Sequence, residues 1–275
     1  MNGGISSLPD LENEFPLSAQ LVEEYQEKGH VCIRNLAAQE EIRTYRNVIK
    51  DAVQDYAKQA APLEERDTFG KAFLQVMNLW EKSKEVEKFV LAERFGKVAA
   101  DLLGVEGVRI YHDQALYKEP GGGHTPWHQD QTFWPLDTNH TITMWMPLVD
   151  ISEEMGSLSF ASKSQLEGYI SKLGISDDSH ATLGRRIEEK AYDIVTHGAM
   201  KAGDATFHNG WTLHSAPGNP TDQTREVMTV IYVADGAQVS AIDTAARKKD
   251  QQQWLPGLGE GDLVESRLNP IVYRK

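Results

Sequence analysis

Apolar residues recur every three or four positions in the N-terminal third of the chain, which is the spacing of one face of an amphipathic helix. The pattern predicts three helices. The first begins near Ser18 and ends at Gly29, the second covers residues 39–58, and the third covers residues 83–103 and ends at Gly104. Glycine commonly ends a helix because it adopts the left-handed backbone conformation without strain. The first part of the chain is therefore predicted to be mainly helical.

After Gly107 the helical spacing gives way to short β-branched and aromatic runs, which glycine, proline and asparagine turns separate. One run before Gly107, at residues 31–34, is also short and apolar. The predicted strands cover residues 31–34, 108–118, 141–149, 158–161, 194–197, 205–208 and 225–234. Residues 165–192 are predicted to form a helical or irregular insertion between two of these strands. The pattern is typical of a mainly β sandwich or barrel with flanking helices.

The length of 275 residues fits one elaborated domain. Within this domain we distinguish a mainly helical part at residues 1–106, a β core at 107–236 and a C-terminal extension at 237–275. The extension has apolar anchors but no period that assigns it to helix or strand. The sequence leaves the oligomeric state open.

Charge and composition exclude several classes of partner. The formal net charge is −13 and the isoelectric point is near 5.2, and the longest basic run, at residues 247–249, is too short for a nucleic-acid groove. No segment approaches the ~18 consecutive apolar residues that span a bilayer, and the N-terminus has no apolar leader. Cys32, the only cysteine, lies in an apolar stretch and cannot form an internal disulfide. We therefore expect a cytoplasmic protein that binds neither nucleic acid nor membranes.

The densest group of reactive side chains surrounds His128 and Asp130. Two residues apart on an extended strand, these side chains project from the same face and can reach one ion. His214, much later in the chain, is the candidate for a third ligand. Two imidazoles and one carboxylate leave three positions open on an octahedral ion, which suits ferrous iron that binds a chelating cosubstrate and dioxygen together. Four-coordinate zinc would leave too few positions.

A chelating dicarboxylate cosubstrate also needs a counter-charge for its distal carboxylate. Arginine suits this role because its planar guanidinium pairs with a carboxylate through two parallel hydrogen bonds. Arg225 follows His214 across a Pro-Gly-Asn-Pro turn and begins a predicted strand, so a hairpin could bring both residues to one cavity. The alternative for Arg225 is a surface salt bridge.

These motifs together resemble those of the phytanoyl-CoA dioxygenase family of iron(II)- and 2-oxoglutarate-dependent oxygenases. The helix and strand at residues 19–36 and the strand at 143–150 are also similar to elements of this family, so the resemblance touches most of the chain. Only the ligand motifs are specific. The residues that carry them are His128-Gln-Asp130, the Gly203-Asp204 turn, His214 before a Pro-Gly-Asn loop, and Arg225.

The resemblance implies a double-stranded β-helix, a jelly-roll fold of the cupin kind, flanked by helices. It implies that His128, Asp130 and His214 bind iron, that Arg225 binds the distal carboxylate of 2-oxoglutarate, and that Trp145 lines the cosubstrate pocket. Dioxygen would be the second cosubstrate. Halogenating relatives replace the carboxylate ligand by a small residue, so the presence of Asp130 favours hydroxylation or desaturation.

Candidate substrate-binding residues lie close to these ligands in the sequence. Aromatic side chains would exclude water and offer an apolar surface, although ordinary core packing explains each of them equally well. Gln114 and Lys118 share one strand face with His112 by parity, and this face points either into the cavity or to solvent. His124 is expected in a loop because Pro126 and preceding glycines argue against a helix. The aromatic candidates are Trp127, Phe133, Trp134 and Trp211.

Two alternatives to an oxygenase remain open at this point. One is a cupin-like isomerase or hydrolase that uses a divalent metal as a Lewis acid, and the other is a non-catalytic metabolite-binding module on the same fold. Only an oxygenase consumes dioxygen and 2-oxoglutarate together. The acidic surface offers no attraction to a polyanionic coenzyme A ester, so we expect a small free metabolite as the substrate.

Overall fold

The computed structural model describes residues 8–58 and 61–275. Its core consists of β-strands. The strands are β1 His30–Ile33, β2 Leu74–Met77, β3 Gly107–Lys118, β4 Thr125–His128, β5 Thr141–Pro147, β6 Ser159–Ala161, β7 Ile194–Thr196, β8 Ala205–Asn209, β9 His214–Ala216, β10 Arg225–Ala234 and β11 Ile271–Arg274. The helices are α1 Ala19–Lys28, α2 Gln39–Ala57, α3 Thr68–Ala72, α4 Lys84–Val90, α5 Glu93–Leu103, α6 Asp177–Lys190 and α7 Ala245–Trp254.

The described strands form two antiparallel sheets. The larger sheet has the order β1-β8-β5-β10-β3-β11, with β2 also paired to β3, and the smaller has the order β4-β9-β6-β7. Side chains from both sheets line one cavity between them. This arrangement agrees with the prediction of a mainly β core with flanking helices.

Alternation along β10 separates the cavity from the main hydrophobic core. Met228, Val230 and Tyr232 belong to the core that contains the buried side chains of α2 and α5. Arg225 and Thr229 point to the opposite side and line the cavity. α2 and α5 thus cover the outer face of the larger sheet, and its inner face is left for the site.

The first two helices follow the pattern closely. Ser18 caps α1 by accepting a hydrogen bond from the backbone N–H of Leu21, and Gly29 ends the helix with a φ of 78°. The helix predicted at residues 39–58 is α2.

The single helix predicted at residues 83–103 is wrong, because the chain forms two helices there. Leu91 and Ala92 separate them, and Ala92 has an extended backbone. α4 packs against α2, whereas α5 packs against α1, β3 and β11. A change of direction lets each short helix bury its own apolar face, and a helical period cannot reveal such a change. Gly104 ends α5 as predicted.

All seven predicted strands are present, with ends within two residues of the prediction. The insertion at residues 165–192 lies between β6 and β7 and contains α6. The pattern did not predict β2, β9, β11, α3 or α7. The C-terminal extension returns to the larger sheet through β11, which pairs with β3. No helix in the described part of the chain is long and apolar enough to cross a membrane.

Gly203 provides a test of how tightly the turn before β8 is packed. Its φ is 94°, and an added Cβ would lie 2.1 Å from the carbonyl oxygen of Ala37. We expect Gly203→Ala to lower the free energy of unfolding by about 3 kcal/mol or more, because backbone strain and a backbone clash combine. Gly236→Ala is the matched control, since its φ is 87° and a Cβ there meets no atom within 4 Å. Strain alone should cost about 1 kcal/mol. Equal losses in urea-induced unfolding would show that the contact with Ala37 is unimportant.

Candidate active site

Three potential metal ligands meet at the open edge of the smaller sheet. His128 ends β4 and His214 begins β9, and the two are direct partners in the antiparallel register, with ring centroids 4.1 Å apart. Gln129 follows β4 with an extended backbone, and Asp130 then begins a tight turn. One ligand atom from each of the three side chains lies within 4.8 Å of the other two. The structure therefore brings together the three residues that the sequence analysis singled out.

Backbone carbonyls orient the two imidazoles. Nδ1 of His128 lies 2.7 Å from the carbonyl oxygen of Pro126, and Nδ1 of His214 lies 3.0 Å from that of Thr212. A carbonyl only accepts, so each Nδ1 carries the proton and each Nε2 presents a lone pair. The two Nε2 atoms lie 3.5 and 3.6 Å from Oδ1 of Asp130. Two nitrogen donors and one oxygen donor therefore face a common point.

The second oxygen of Asp130 is held from the other side. Oδ2 accepts a hydrogen bond from Oγ1 of Thr143 at 3.0 Å and lies 3.2 Å from Nε2 of His208. Burial opposes ionisation of Asp130, but the surrounding imidazoles, foremost that of His214, outweigh it, so the pKa lies well below its ordinary value. Burial, together with the neighbouring imidazoles, holds the pKa of His214 well below its usual range. An anionic carboxylate and neutral imidazoles are the protonation states that bind a metal.

His208 was not among the site residues predicted from the sequence. Its strand, β8, was predicted, but strand parity defines only two faces and does not say which face points inward. The register places His208 opposite Thr143 of β5, and both side chains then reach Asp130. The only sequence signal was a histidine at the end of a predicted strand that precedes a proposed ligand.

A buried cationic pair lies at one end of the cavity. Arg225 is 1% exposed and Lys118 is fully buried, and the two are cross-strand neighbours in β10 and β3. The guanidinium of Arg225 lies 5.1 Å from the ring centroid of Trp145 and donates to the carbonyl oxygen of Gly156. The ammonium group of Lys118 donates to the carbonyl oxygen of Gly123.

Neither cation has an acidic partner within the described ranges, and Nε of Arg225 has no hydrogen-bond partner there. Burial lowers the pKa of Arg225 to about 9. Burial, with repulsion from Arg225, lowers the pKa of Lys118 to about 7. Burying unpaired cations is costly, so this end of the cavity is suited to an anionic ligand.

The cavity has a volume of about 510 Å³ and contains the three potential ligands and Arg225 in its wall. Of the other residues predicted from the sequence, four also line it. These are Gln114, Phe133, Trp134 and Trp145. The C-terminal helix α7, which the sequence did not predict, forms a further part of the wall.

Trp127 and Trp211 do not line the cavity, contrary to expectation. Trp127 follows the strand alternation, so it points away from the side that His128 faces, and it packs in the cluster that contains Leu183 of α6. Trp211 lies in the turn between β8 and β9, where its indole N–H donates to the side chain of Asn139 at 3.0 Å. Nearness in sequence to a ligand did not place either indole in the cavity.

The face that parity left undecided points inward. His112 and Gln114 line the cavity, and Lys118, further along the same face, is buried beside Arg225. His124 lies in a loop, as expected, and its Nε2 is 3.4 Å from the carboxylate of Asp177 in α6.

A sequence model of the phytanoyl-CoA dioxygenase family matches residues 25–227. The chain belongs to this family. It is 23% identical over 233 residues to a probable alpha-ketoglutarate-dependent hypophosphite dioxygenase of Stutzerimonas stutzeri, a match that covers 80% of this chain and 79% of that protein. It is 22% identical to the ectoine dioxygenase of Stutzerimonas stutzeri strain A1501, with coverage of 81% and 78%.

Solved structures share the fold of this family member. The non-heme alpha-ketoglutarate-dependent carbocyclase SnoK from nogalamycin biosynthesis has a TM-score of 0.75 and 25% identity, and the match covers 98% of this chain and all of SnoK. EctD from S. alaskensis with bound iron has a TM-score of 0.65 and 19% identity, with coverage of 81% and 78%. The predictions of the family, of its jelly-roll fold and of a dioxygenase that uses iron and 2-oxoglutarate are confirmed.

Proposed function

We propose that His128, Asp130 and His214 bind ferrous iron, that Arg225 and Lys118 bind the distal carboxylate of 2-oxoglutarate, and that the enzyme hydroxylates a small molecule. One observation carries this proposal. A buried cationic pair, with no acidic partner in the part of the chain that the structure describes, and a set of three potential metal ligands line or adjoin one cavity. A cosubstrate that chelates iron at one end and carries a carboxylate at the other satisfies both.

The donor set fits ferrous iron. Two imidazole nitrogens and one carboxylate oxygen leave open positions on an octahedral ion, and each imidazole is already in the tautomer that binds a metal. Iron bound with 2-oxoglutarate and dioxygen supplies the oxidising power for attack on a C–H bond. The chain itself contributes orientation and the exclusion of water.

Two contacts restrict the orientation of Arg225, the proposed anchor of the cosubstrate. The carbonyl oxygen of Gly156 holds one nitrogen of Arg225, and the indole of Trp145 packs against the guanidinium, so the fork has few orientations available. Lys118 adds a second positive charge at the same end. An anion placed there compensates both buried cations, and the low local dielectric strengthens the attraction.

The comparisons support a small-molecule substrate without naming it. Relatives of this chain are named for hypophosphite, ectoine and methylphosphonate, which differ in size and charge. A cavity of about 510 Å³ has room for 2-oxoglutarate and a further small molecule. We also propose that the chain forms a single domain. A cytoplasmic location is proposed as well, and the lone Cys32 supports it because this residue cannot form an internal disulfide.

Turnover measurements test the proposed function directly. The iron-loaded protein should consume dioxygen and 2-oxoglutarate and release succinate, and a suitable metabolite from a panel should accelerate this reaction. A Lewis-acid isomerase or hydrolase would consume neither cosubstrate. Mass spectrometry of an accelerating compound should show a gain of one oxygen atom if the reaction is hydroxylation.

Asp130→Ala should weaken ferrous iron binding by more than about 100-fold, because loss of an outer partner alone commonly costs 10–100-fold and this change removes the anionic ligand. Anaerobic metal titration without 2-oxoglutarate measures the effect. Asp137→Ala, which removes an exposed carboxylate from the same segment, is the matched control and should bind iron as the parent does. Iron affinity of the parent level in Asp130→Ala would refute the ligand assignment.

His208 is expected to hold Asp130 in place without binding the metal. His208→Phe removes the group that lies 3.2 Å from Oδ2 of Asp130, so iron affinity should fall by about 10–100-fold. His208→Gln keeps a hydrogen-bond donor and should recover part of this loss. If His208→Phe and His208→Gln both bound iron as tightly as the parent, the hydrogen bond to Asp130 would have no role in positioning the carboxylate.

Arg225→Lys should weaken 2-oxoglutarate binding, because a point charge replaces a planar fork, and Arg225→Ala should weaken it further. Losing a buried charge-assisted pair costs about 2–5 kcal/mol, so the alanine variant should bind at least about 30-fold more weakly. The visible charge-transfer band of 2-oxoglutarate on ferrous iron gives the affinity by anaerobic titration.

Lys118→Met separates the contributions of the two cations, since it removes only the second charge. Iron affinity without cosubstrate should be unchanged in all three variants. Parent-like 2-oxoglutarate affinity in Arg225→Ala together with a large loss in Lys118→Met would make Lys118 the anchor.

A further inference from the structure

The part of the cavity away from Arg225 is closed by α7, which lies outside the matched residues 25–227. Trp254 and Leu255 bury their side chains in the cluster that also contains Trp134. The guanidinium of Arg247 reaches the carbonyl oxygen of Thr132, in the turn that begins with the proposed ligand Asp130. α7 is therefore docked against the cavity, where its side chains can determine which molecule is accepted.

His112 is a buried polar group with an unused hydrogen-bonding atom. Its side chain lines the cavity and is 2% exposed, and Nδ1 has no hydrogen-bond partner among the described residues. Two indoles flank the ring, with centroid distances of 5.2 Å to Trp254 and 6.1 Å to Trp134. Burial lowers the pKa of His112 to about 3, so the ring is neutral near neutral pH. An unsatisfied buried group commonly costs about 1–3 kcal/mol, which a bound ligand can recover.

A β-bulge adds a second polar group beside His112. The pairing of β3 with β10 shifts register between Ile231 and Tyr232, and Tyr111 is the residue left without a partner. Tyr111 and His112 can therefore both pack on the inner side of the sheet, which strict alternation forbids. The hydroxyl of Tyr111 donates to Oδ2 of Asp250, a cavity-lining residue of α7. Burial raises the pKa of Asp250 to about 7, so near neutral pH this carboxyl can both donate and accept.

A pair of amides completes the polar wall. Nε2 of Gln75 donates to Oε1 of Gln114 at 2.6 Å, and both side chains line the cavity. Each amide retains further hydrogen-bonding capacity for a ligand. The wall thus combines an imidazole, a carboxyl group and two amides, all planar groups that both donate and accept.

The positions of the cations in the cavity disfavour an anionic ligand at this polar wall. Among the described residues that line the cavity, the cations are Arg225, which the proposed function assigns to 2-oxoglutarate, and Lys249, which is exposed on α7 at the mouth. No buried cation among these residues remains for a phosphate or carboxylate of the substrate. Asp130 is assigned to the metal and Asp250 accepts from the hydroxyl of Tyr111, so neither is left to pair with an ammonium group. The indoles of Trp134 and Trp254 offer flat apolar faces of the kind that pack on the C–H face of a ring.

We propose that His112, Asp250 and the Gln75–Gln114 pair hydrogen-bond the hydroxyl groups of an uncharged, polyhydroxylated ring, whose C–H face packs on Trp134 and Trp254. This subsite deepens the proposed function and rests on it for the assignment of Arg225. It would position one C–H bond of the ring toward the proposed iron ligands, with α7 as the element that selects the ring.

Three matched probes test the chemistry of the subsite. Phenyl β-glucoside is uncharged, the corresponding glucuronide carries a carboxylate, and the corresponding glucosaminide carries an ammonium group. Equilibrium dialysis measures their binding to the full chain, with and without ferrous iron and 2-oxoglutarate under anaerobic conditions. With ferrous iron and 2-oxoglutarate present, we expect the uncharged probe to bind about tenfold more tightly than either charged probe, which corresponds to one hydrogen bond or one desolvated charge.

Two variants assign the binding to named side chains. His112→Phe keeps the ring shape and removes the nitrogens, and Asp250→Asn keeps the shape and an acceptor for Tyr111. Each should weaken binding of the uncharged probe by about five- to tenfold. The charge-transfer band of 2-oxoglutarate should be unchanged in both. Gln252→Ala, an exposed position of α7 that does not line the cavity, is the matched control and should bind the probe as the parent does.

Several outcomes would overturn the proposal. These are equal binding of the three probes, tighter binding of the carboxylate or ammonium probe, no binding of any probe, and parent-like probe binding in both variants. Absence of the charge-transfer band in the parent would instead count against the proposed function. Dialysis of the uncharged probe with the metal-free protein would still decide the subsite, because the comparison of the parent with His112→Phe and Asp250→Asn does not involve Arg225.

Discussion

Keeping a carboxylate charged inside a β sandwich is the constraint on which the rest of this site depends. Asp130 is largely buried, and burial alone raises the pKa of a carboxyl group. It remains anionic because Thr143 and His208 hold Oδ2, and Oδ1 faces Nε2 of His128 and of His214 across the proposed metal position. Without these partners the group would take up a proton, and the site would lose its only anionic donor.

The two sheets make different contributions to the cavity. The smaller sheet places His128 and His214 side by side, because they are cross-strand partners in β4 and β9. The larger sheet supplies the buried cations Arg225 and Lys118, which are cross-strand partners in β10 and β3. Antiparallel pairing brings residues that are far apart in the chain to adjacent positions, so each pair is fixed by a register and does not depend on a flexible loop.

The helices stabilise the site indirectly or shape its opening. α2 and α5 bury the outer face of the larger sheet, so the inner face is free to carry polar and charged side chains. α7 instead closes the cavity itself, with Trp254 and Asp250 on its inner face. The proposed substrate subsite therefore depends on an element beyond the matched family region, whereas the proposed metal and cosubstrate groups lie within it.

The sequence by itself determined the class of fold, seven of the strands, the family, and the residue types of the proposed metal site. Alternation and glycine placement are local properties, and the spacing of His128 and Asp130 needs only an extended segment. Tertiary structure alone decided which face of each strand points inward. It separated Trp134, which lines the cavity, from Trp127 and Trp211, which do not, and it revealed His208. The bulge at Tyr111 and the docking of α7 depend on strand register and on contacts between distant segments, which no local period records.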